Sequence, residues 1–201
     1  MPQVLKEEVR NSILNAAVKI FREKDYNKSS MNAIAVEAGI SVGNIYRYFK
    51  NKEELFDVIV KDLAEKIMSV MDRCKCGESI DDVFILLKEC ISDFIDLYST
   101  NEDVFIILIK ATDQVKTKYN VEKAMTEYMS KSLNEIAKNF CRKNDMTDED
   151  LENLCMTLST SLTKGVNYII LSNGGVEDMK RRLFNYLDFM RIGFIENVKL
   201  H

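Results

Sequence analysis

Apolar residues recur every three to four positions along nearly the whole chain, the period of a helix with one buried face. Leu5, Val9, Ile13, Ala16, Ala17, Ile20 and Phe21 form the first stripe and predict a helix over about 5–24. A polar turn follows at 25–29, where Tyr26 can fold back over a small core. Ser30 then stands as an N-cap before a short apolar segment, 31–38. Gly39 ends that segment, because glycine accepts a positive φ, and Ile40 can plug the corner. Ser41 caps a second short segment over 42–49, and Asn51 with Glu54 forms a capping-box arrangement for a long helix over 52–73.

The same pattern continues beyond a break at Cys74-Lys75-Cys76-Gly77. Ser79 with Asp82 opens a helix over 80–98. Residues 104–109 are six consecutive apolar positions, which periodicity alone cannot assign to helix or strand. A lone strand in a helical chain has no partner, so the expectation is a buried helix over 103–116. Further helices are expected over 121–143, over 148–172 with Thr147 and Asp150 at its start, and over 176–199 after the stop at Asn173-Gly174-Gly175. The fold class is therefore all-α, with about nine helices. A single proline, at Pro2, and seven glycines fit it.

Two short helices joined by a Gly-containing turn make a helix-turn-helix, the unit that sets its second helix in a DNA major groove. A wheel over 42–49 places Ile45, Tyr48 and Phe49 on one side, towards Ala35, Ala38 and the first helix. Gly43, Asn44, Tyr46 and Arg47 fall on the other side, free to meet a groove. Gly43 is a poor helix former, and its use there is close approach of backbone to DNA. The net charge of −4 argues against nucleic acid, but its distribution does not. Residues 1–56 hold 9 Lys/Arg against 7 Asp/Glu, and the remainder 19 against 25. A mildly basic head on an acidic body can face phosphate while the body stays away.

Composition narrows the rest. At 46% hydrophobic and 30% charged residues the chain is globular rather than disordered. No apolar run approaches the roughly 18 residues of a membrane span. The N-terminus lacks a secretory pattern, so a cytoplasmic protein is expected, and the five cysteines read as reduced thiols, mostly small core residues. Cys74 and Cys76 with the single histidine, His201, fall short of the four ligands of a zinc site, so no metal and no cofactor is expected. No Gly-rich phosphate loop, nucleophile–histidine pair or paired-carboxylate signature points to an enzyme. A helical adaptor that uses the head to bind protein is the remaining rival, and loss of binding to every DNA sequence at low salt would favour it.

Ser30 to Leu55 resembles the DNA-binding head of the TetR (tetracycline-repressor-like) transcriptional regulators. The matching residues are Ile34-Ala35, Ala38-Gly39-Ile40-Ser41, Gly43, Ile45-Tyr46, Tyr48-Phe49 and Lys52-Glu53-Glu54-Leu55. With the first helix the resemblance covers about residues 8–60; the body matches only in layout. It implies a helix-turn-helix domain over 1–51 and a ligand-binding and dimerisation domain over 52–201, linked by the fourth helix. It implies base reading by Gly43, Asn44, Tyr46 and Arg47, and phosphate contacts from Ser30, Ser41, Tyr48 and Lys52. The chemistry agrees, since hydroxyls suit phosphate oxygens and arginine suits guanine O6 and N7. Val42 departs from the pattern: it stands where many relatives carry Lys or another polar residue, and could touch a thymine methyl.

The resemblance further implies a homodimer joined through the last two helices, acting as a ligand-responsive repressor on a pseudo-palindromic operator. Leu158, Leu162, Gly165 and Val166, with Leu183, Leu187, Met190 and Phe194, are the candidate interface. Two wide apolar stripes in one small bundle call for a partner. The effector is expected to be small and largely apolar. Its candidate walls are Phe84, Leu87, Ile91, Phe94, Phe105, Leu108, Met125, Tyr128 and Met129, for which a filled core is the competing reading, residue by residue.

Overall fold

The computed structural model describes residues 3–73, 80–141, 147–172 and 174–199. They form nine helices and no strand: α1 (Gln3–Lys28), α2 (Met31–Glu37), α3 (Val42–Ile45), α4 (Lys52–Arg73), α5 (Ile80–Thr100), α6 (Glu102–Ala111), α7 (Val121–Cys141), α8 (Asp148–Leu171) and α9 (Val176–Lys199). The break at 74–79, with Cys74, Cys76 and Ser79, lies outside the described residues, as does the side chain of Phe194 on α9. No described helix is long and apolar enough to cross a membrane.

Two elements end earlier than their patterns suggest. Helix α3 stops at Ile45, and residues 46–48 continue as turns, with Arg47 N–H on Asn44 O at 3.1 Å and Tyr48 N–H on Ile45 O at 3.0 Å. Glycine and β-branched residues hold α-helix poorly, and α3 is built from Val42, Gly43, Asn44 and Ile45. Helix α6 stops at Ala111, where its apolar run ends. Phe105, Ile106, Ile107, Leu108 and Ala111 are all buried, while Glu102, Asp103 and Lys110 at its ends stay exposed.

The chain divides into two compact units. The first takes residues up to Lys66 together with Asn101–Val121; the second takes the described residues of 67–100 and 122–199. The unit that carries the helix-turn-helix is thus larger than 1–51, because α6 packs on α1. Arg22 Nε meets Asp103 Oδ1 at 3.1 Å, Lys110 Nζ meets Asp25 Oδ1 at 3.3 Å, and Gln114 Oε1 accepts from Asn27 N–H at 3.2 Å. The core of this unit is Ile13, Ala17, Ile20, Phe21, Ile34, Ile45, Leu55, Phe56 and Val60. Phe21, Tyr26 and Phe56 form a ring cluster with centroids 5.3–6.0 Å apart.

In the second unit α5 and α8 both pack on α9. Lys88 Nζ reaches Asp188 Oδ1 at 2.6 Å, and the Tyr186 hydroxyl donates to Ser161 O at 2.9 Å. Gly165 makes that last approach possible: a Cβ there would lie 2.3 Å from the Tyr186 oxygen. Thr147 and Asp150 form the expected capping box at the start of α8. Cys155 is a buried free thiol, whereas Cys90 is disulfide-bonded, against the expectation of reduced thiols throughout.

Candidate nucleic-acid interface

The turn between α2 and α3 closes by backbone geometry. Gly39 takes φ 68°, Ile40 N–H bonds Ala35 O at 3.0 Å and Gly39 N–H bonds Val36 O at 3.1 Å. This pair of bonds is a Schellman motif, which needs a left-handed residue at Gly39. Ser12 Oγ donates to Ala38 O at 3.2 Å, tying the same corner to α1. The recognition segment is then anchored by Ile45 and Phe49, which are 0% and 2% exposed.

Both cap serines sit as expected. Ser30 Oγ accepts from Ala33 N–H at 3.1 Å and Ser41 Oγ accepts from Asn44 N–H at 3.3 Å. Both residues are exposed, so each hydroxyl keeps its own hydrogen for an outside acceptor such as a phosphate oxygen. Ser41, Val42, Gly43, Tyr46 and Arg47 form one exposed face, with Asn44 half-buried beside it. Tyr46 is 52% exposed. Arg47 has no ion pair among the described residues, so its guanidinium fork is open. Gly43 has no internal need to be glycine: its φ is ordinary and a Cβ there would meet nothing within 4 Å.

Two expected phosphate contacts are placed differently from their neighbours. Tyr48 is half-buried beside Phe49. Lys52 turns inward: its Nζ donates to Tyr26 O at 2.8 Å and Ser29 O at 2.9 Å, and it lies 4.1 Å from the Tyr26 ring centroid. Burial holds this ammonium below the usual lysine range. Two of its three donors are engaged with carbonyls of the turn that follows the break at Asp25. The opening of α4 also uses Asn51 Oδ1, which accepts from Glu54 N–H at 2.7 Å, while Glu54 Oε2 accepts from Lys50 N–H at 2.6 Å.

The body residues scatter. Phe84, Ile91 and Phe94 are buried and Leu87, Met125, Tyr128 and Met129 half-buried in the second unit, whereas Phe105 and Leu108 are core residues of the first. Of the candidate interface, Leu162, Leu183 and Leu187 are 1–2% exposed within the single chain. Their burial needs no second copy. Gly165 is filled from within by Tyr186, and Leu158, Val166 and Met190 are half-buried. The large apolar residues exposed on α8 and α9 are Leu154, Met156, Tyr168, Leu171, Phe189 and Ile192, with Tyr168 and Phe189 about three-quarters exposed at 76% and 75%. Leu154 stands in the apolar stripe expected on α8, with Leu151, Leu158, Leu162, Val166 and Ile169; the others lie outside the expected stripes. For Leu154, Tyr168, Phe189 and Ile192 the signal in the sequence was a second row on each helix, Leu154, Leu158, Gly165 and Tyr168 on α8 and Phe189 with Ile192 on α9.

Residues 13–59 match the family model for bacterial regulatory proteins of the tetR family. The fatty acid metabolism regulator protein of Bacillus subtilis (strain 168) is 39% identical over 61 residues, which is 30% of this chain and 30% of that protein. The match to curated relatives thus spans about a third of their length or less. Across the whole fold, a TetR-family transcriptional regulator from Bordetella parapertussis 12822 superposes with TM-score 0.64 at 14% identity, covering 90% of this chain and 94% of that one. Another, from Chloroflexus aurantiacus J-10-FL, gives TM-score 0.62 at 19% identity, covering 96% and 94%. At such identities the likeness speaks for the helical fold.

Proposed function

The chain belongs, through residues 13–59, to the tetR family of bacterial regulatory proteins, and from that premise we propose a homodimeric, ligand-responsive repressor acting on a pseudo-palindromic operator. That it is a DNA-binding transcriptional regulator follows from the family. The observation that carries the reading of the site is Gly43 beside Tyr46 and Arg47: an exposed face with an open guanidinium and a glycine that the fold does not require. Arg47 reads a base edge, Tyr46 and Asn44 flank it, and the Ser30 and Ser41 hydroxyls fix the head on phosphates.

A second copy supports two heads on two half-sites, and the surface it covers is the open apolar row of α8 and α9, Leu154, Tyr168, Phe189 and Ile192. Response to a small molecule in the second unit has a route through the chain. The backbone passes between the units at 66/67, 100/101 and 121/122. No Gly or Pro stands at any of these points, and the first lies within continuous α4. A ligand that binds better to one arrangement of these helices shifts the population of heads able to reach two successive major grooves.

The test is selection of bound duplexes from random DNA with the full-length protein, followed by footprinting. A palindromic consensus with half-site centres one or two helical turns apart is expected. Failure to retain any duplex at low salt would overturn the reading.

A further inference from the structure

Polar residues recur every four positions on two facing helices of the second unit: Glu122, Thr126, Ser130 and Asn134 on α7, and Cys155, Ser159, Thr163 and Asn167 on α8. A seam between helices is ordinarily apolar along such a row. The two rows run antiparallel in a fixed register. Asn167 Nδ2 donates to Glu122 Oε2 at 2.6 Å, and Thr126 Oγ1 bonds Thr163 Oγ1 at 3.2 Å. Continued along both helices, that register pairs Ser130 with Ser159 and Asn134 with Cys155 by position in the sequence.

The first two rungs satisfy one another, whereas one atom on each of the next two, Ser159 Oγ and Asn134 Oδ1, does not find a partner. Ser159 is 0% exposed and its Oγ has no hydrogen-bond partner; Asn134 Oδ1, one rung on, is likewise buried and unpartnered. Buried polar atoms are almost always bonded, so two orphans on adjacent rungs mark a missing partner. The seam offers that partner no charge. Glu122 is already ion-paired with Lys164 at 2.5 Å, and the inner rungs hold only hydroxyl, amide and thiol groups. It does offer apolar surface: Met129 Sδ lies 4.0 Å from Thr163 Oγ1, beside the row.

We propose that the α7–α8 seam binds a small neutral molecule bearing a primary amide or hydroxyl on an apolar body. Its N–H or O–H donates to Asn134 Oδ1, its oxygen accepts from the Ser159 hydroxyl, and its apolar part lies on Met129. This rests on the reading of the second unit as ligand-binding and makes the effector's recognised end polar rather than apolar.

The probes are hexanamide and 1-hexanol, with 1-chlorohexane as the same chain lacking a donor. The full-length protein is labelled with 13C-methyl methionine, and the Met129 signal is assigned with Met129→Leu. Saturable shifts of that signal are expected with hexanamide and 1-hexanol, and at least ten-fold weaker binding with 1-chlorohexane. Ser159→Ala and Asn134→Leu should each weaken hexanamide at least ten-fold while leaving the Tm of the free protein unchanged or higher, since neither removed group has a bond to lose. A lower Tm in both variants, or hexanamide binding that ignores them, or no saturable shift, overturns the proposal. Operator affinity separates the two readings. Hexanamide that saturates the seam without changing it leaves the site standing and sinks ligand response. An unmoved Met129 signal with intact operator binding sinks the site and leaves the DNA-binding reading standing.

Discussion

Lys52 lays its ammonium 4.1 Å from the ring centroid of Tyr26 and donates to the carbonyl of the same residue at 2.8 Å. One side chain thereby joins the start of α4 to the end of α1. The corner it holds is strained. Asp25, next to Tyr26, takes φ 60° and ψ 163°, a region that side-chain-bearing residues rarely occupy. Ser29 Oγ donates to Asp25 O at 2.5 Å, so the corner is tied from two directions.

Lys52→Ala should therefore act on the fold of the head. Losing two charge-assisted bonds at a half-buried position is expected to cost about 1–2 kcal/mol, discounted for solvent screening. Thermal unfolding measures it. The slope of log K for operator against log salt should stay as in the wild type. A direct phosphate contact would instead lower that slope by about one, and such a result would return Lys52 to the DNA surface.

Arg47→Ala and Gly43→Ala should separate reading from folding. Arg47→Ala is expected to lose about 1–3 kcal/mol of operator affinity per head with unchanged Tm. Gly43→Ala adds a Cβ into open space, so the head should be as stable or more so, by up to roughly 1 kcal/mol from helix propensity. Operator binding should nonetheless fall, because the new methyl stands where the duplex comes close. Fluorescence anisotropy on the selected operator decides both. A Gly43→Ala protein with wild-type affinity would remove that residue from the contact face.

Tyr26 gives a prediction in pH. Its hydroxyl is buried with no hydrogen bond of ordinary geometry, and burial first, then the nearby Glu53 carboxylate and that of Asp57, push the phenol well above its ordinary range. The folded state then keeps a proton that the unfolded chain releases near pH 10. Stability from this group is full below that pH and declines as pH rises above it, by up to about 1.4 kcal/mol per pH unit. Tyr26→Phe should match the wild type or exceed it at pH 7 and lack this alkaline decline. The Lys52 ammonium, whose pKa is lowered, acts with the opposite sign, but both proteins share it. Parallel denaturant titrations between pH 8 and 11 are the measurement, and identical pH profiles would refute the assignment.

If the proposed dimer forms through this surface, Phe189→Glu and Tyr168→Glu should leave a monomer while sparing the single chain, since both residues stand open on it. Leu187→Glu, which places a charge in the chain's own core, should unfold the second unit at a cost of several kcal/mol. Sedimentation and circular dichroism together distinguish the outcomes. A Phe189→Glu protein that still sediments as a dimer would rule out this surface.

What could be read from the sequence was what is local to it. The caps at Ser30, Ser41, Asn51 and Thr147, and the turn at Gly39, each depend on residues within a few positions, and the structure keeps them all. The role of Lys52 was not legible, because its partners lie 23 and 26 residues away. The attachment of α6 to α1 depends on pairs such as Arg22 with Asp103, 81 residues apart. On α8 and α9 periodicity marks which stripe is buried but not by what. Leu162, Leu183 and Leu187 are covered by their own chain, and the row left open is the less apolar one. Gly165 drew notice as a small residue for a close approach; the group that approaches is Tyr186 of the same chain.

The membership of α6 in the first unit bears on how such a protein can be cut and recombined. A fragment ending at Lys66 would leave α1 without the helix that covers it and would break the Arg22, Asp25 and Asn27 contacts at once. The unit that carries the helix-turn-helix is therefore discontinuous in the gene: two stretches, 1–66 and 101–121, separated by α5. A single crossover that grafts the first stretch onto a foreign body inherits that body's own sixth helix, and the graft folds only where the two surfaces fit. On the proposed reading, exchange of operator specificity is accordingly simpler by a few substitutions over 42–47 than by transplanting the domain.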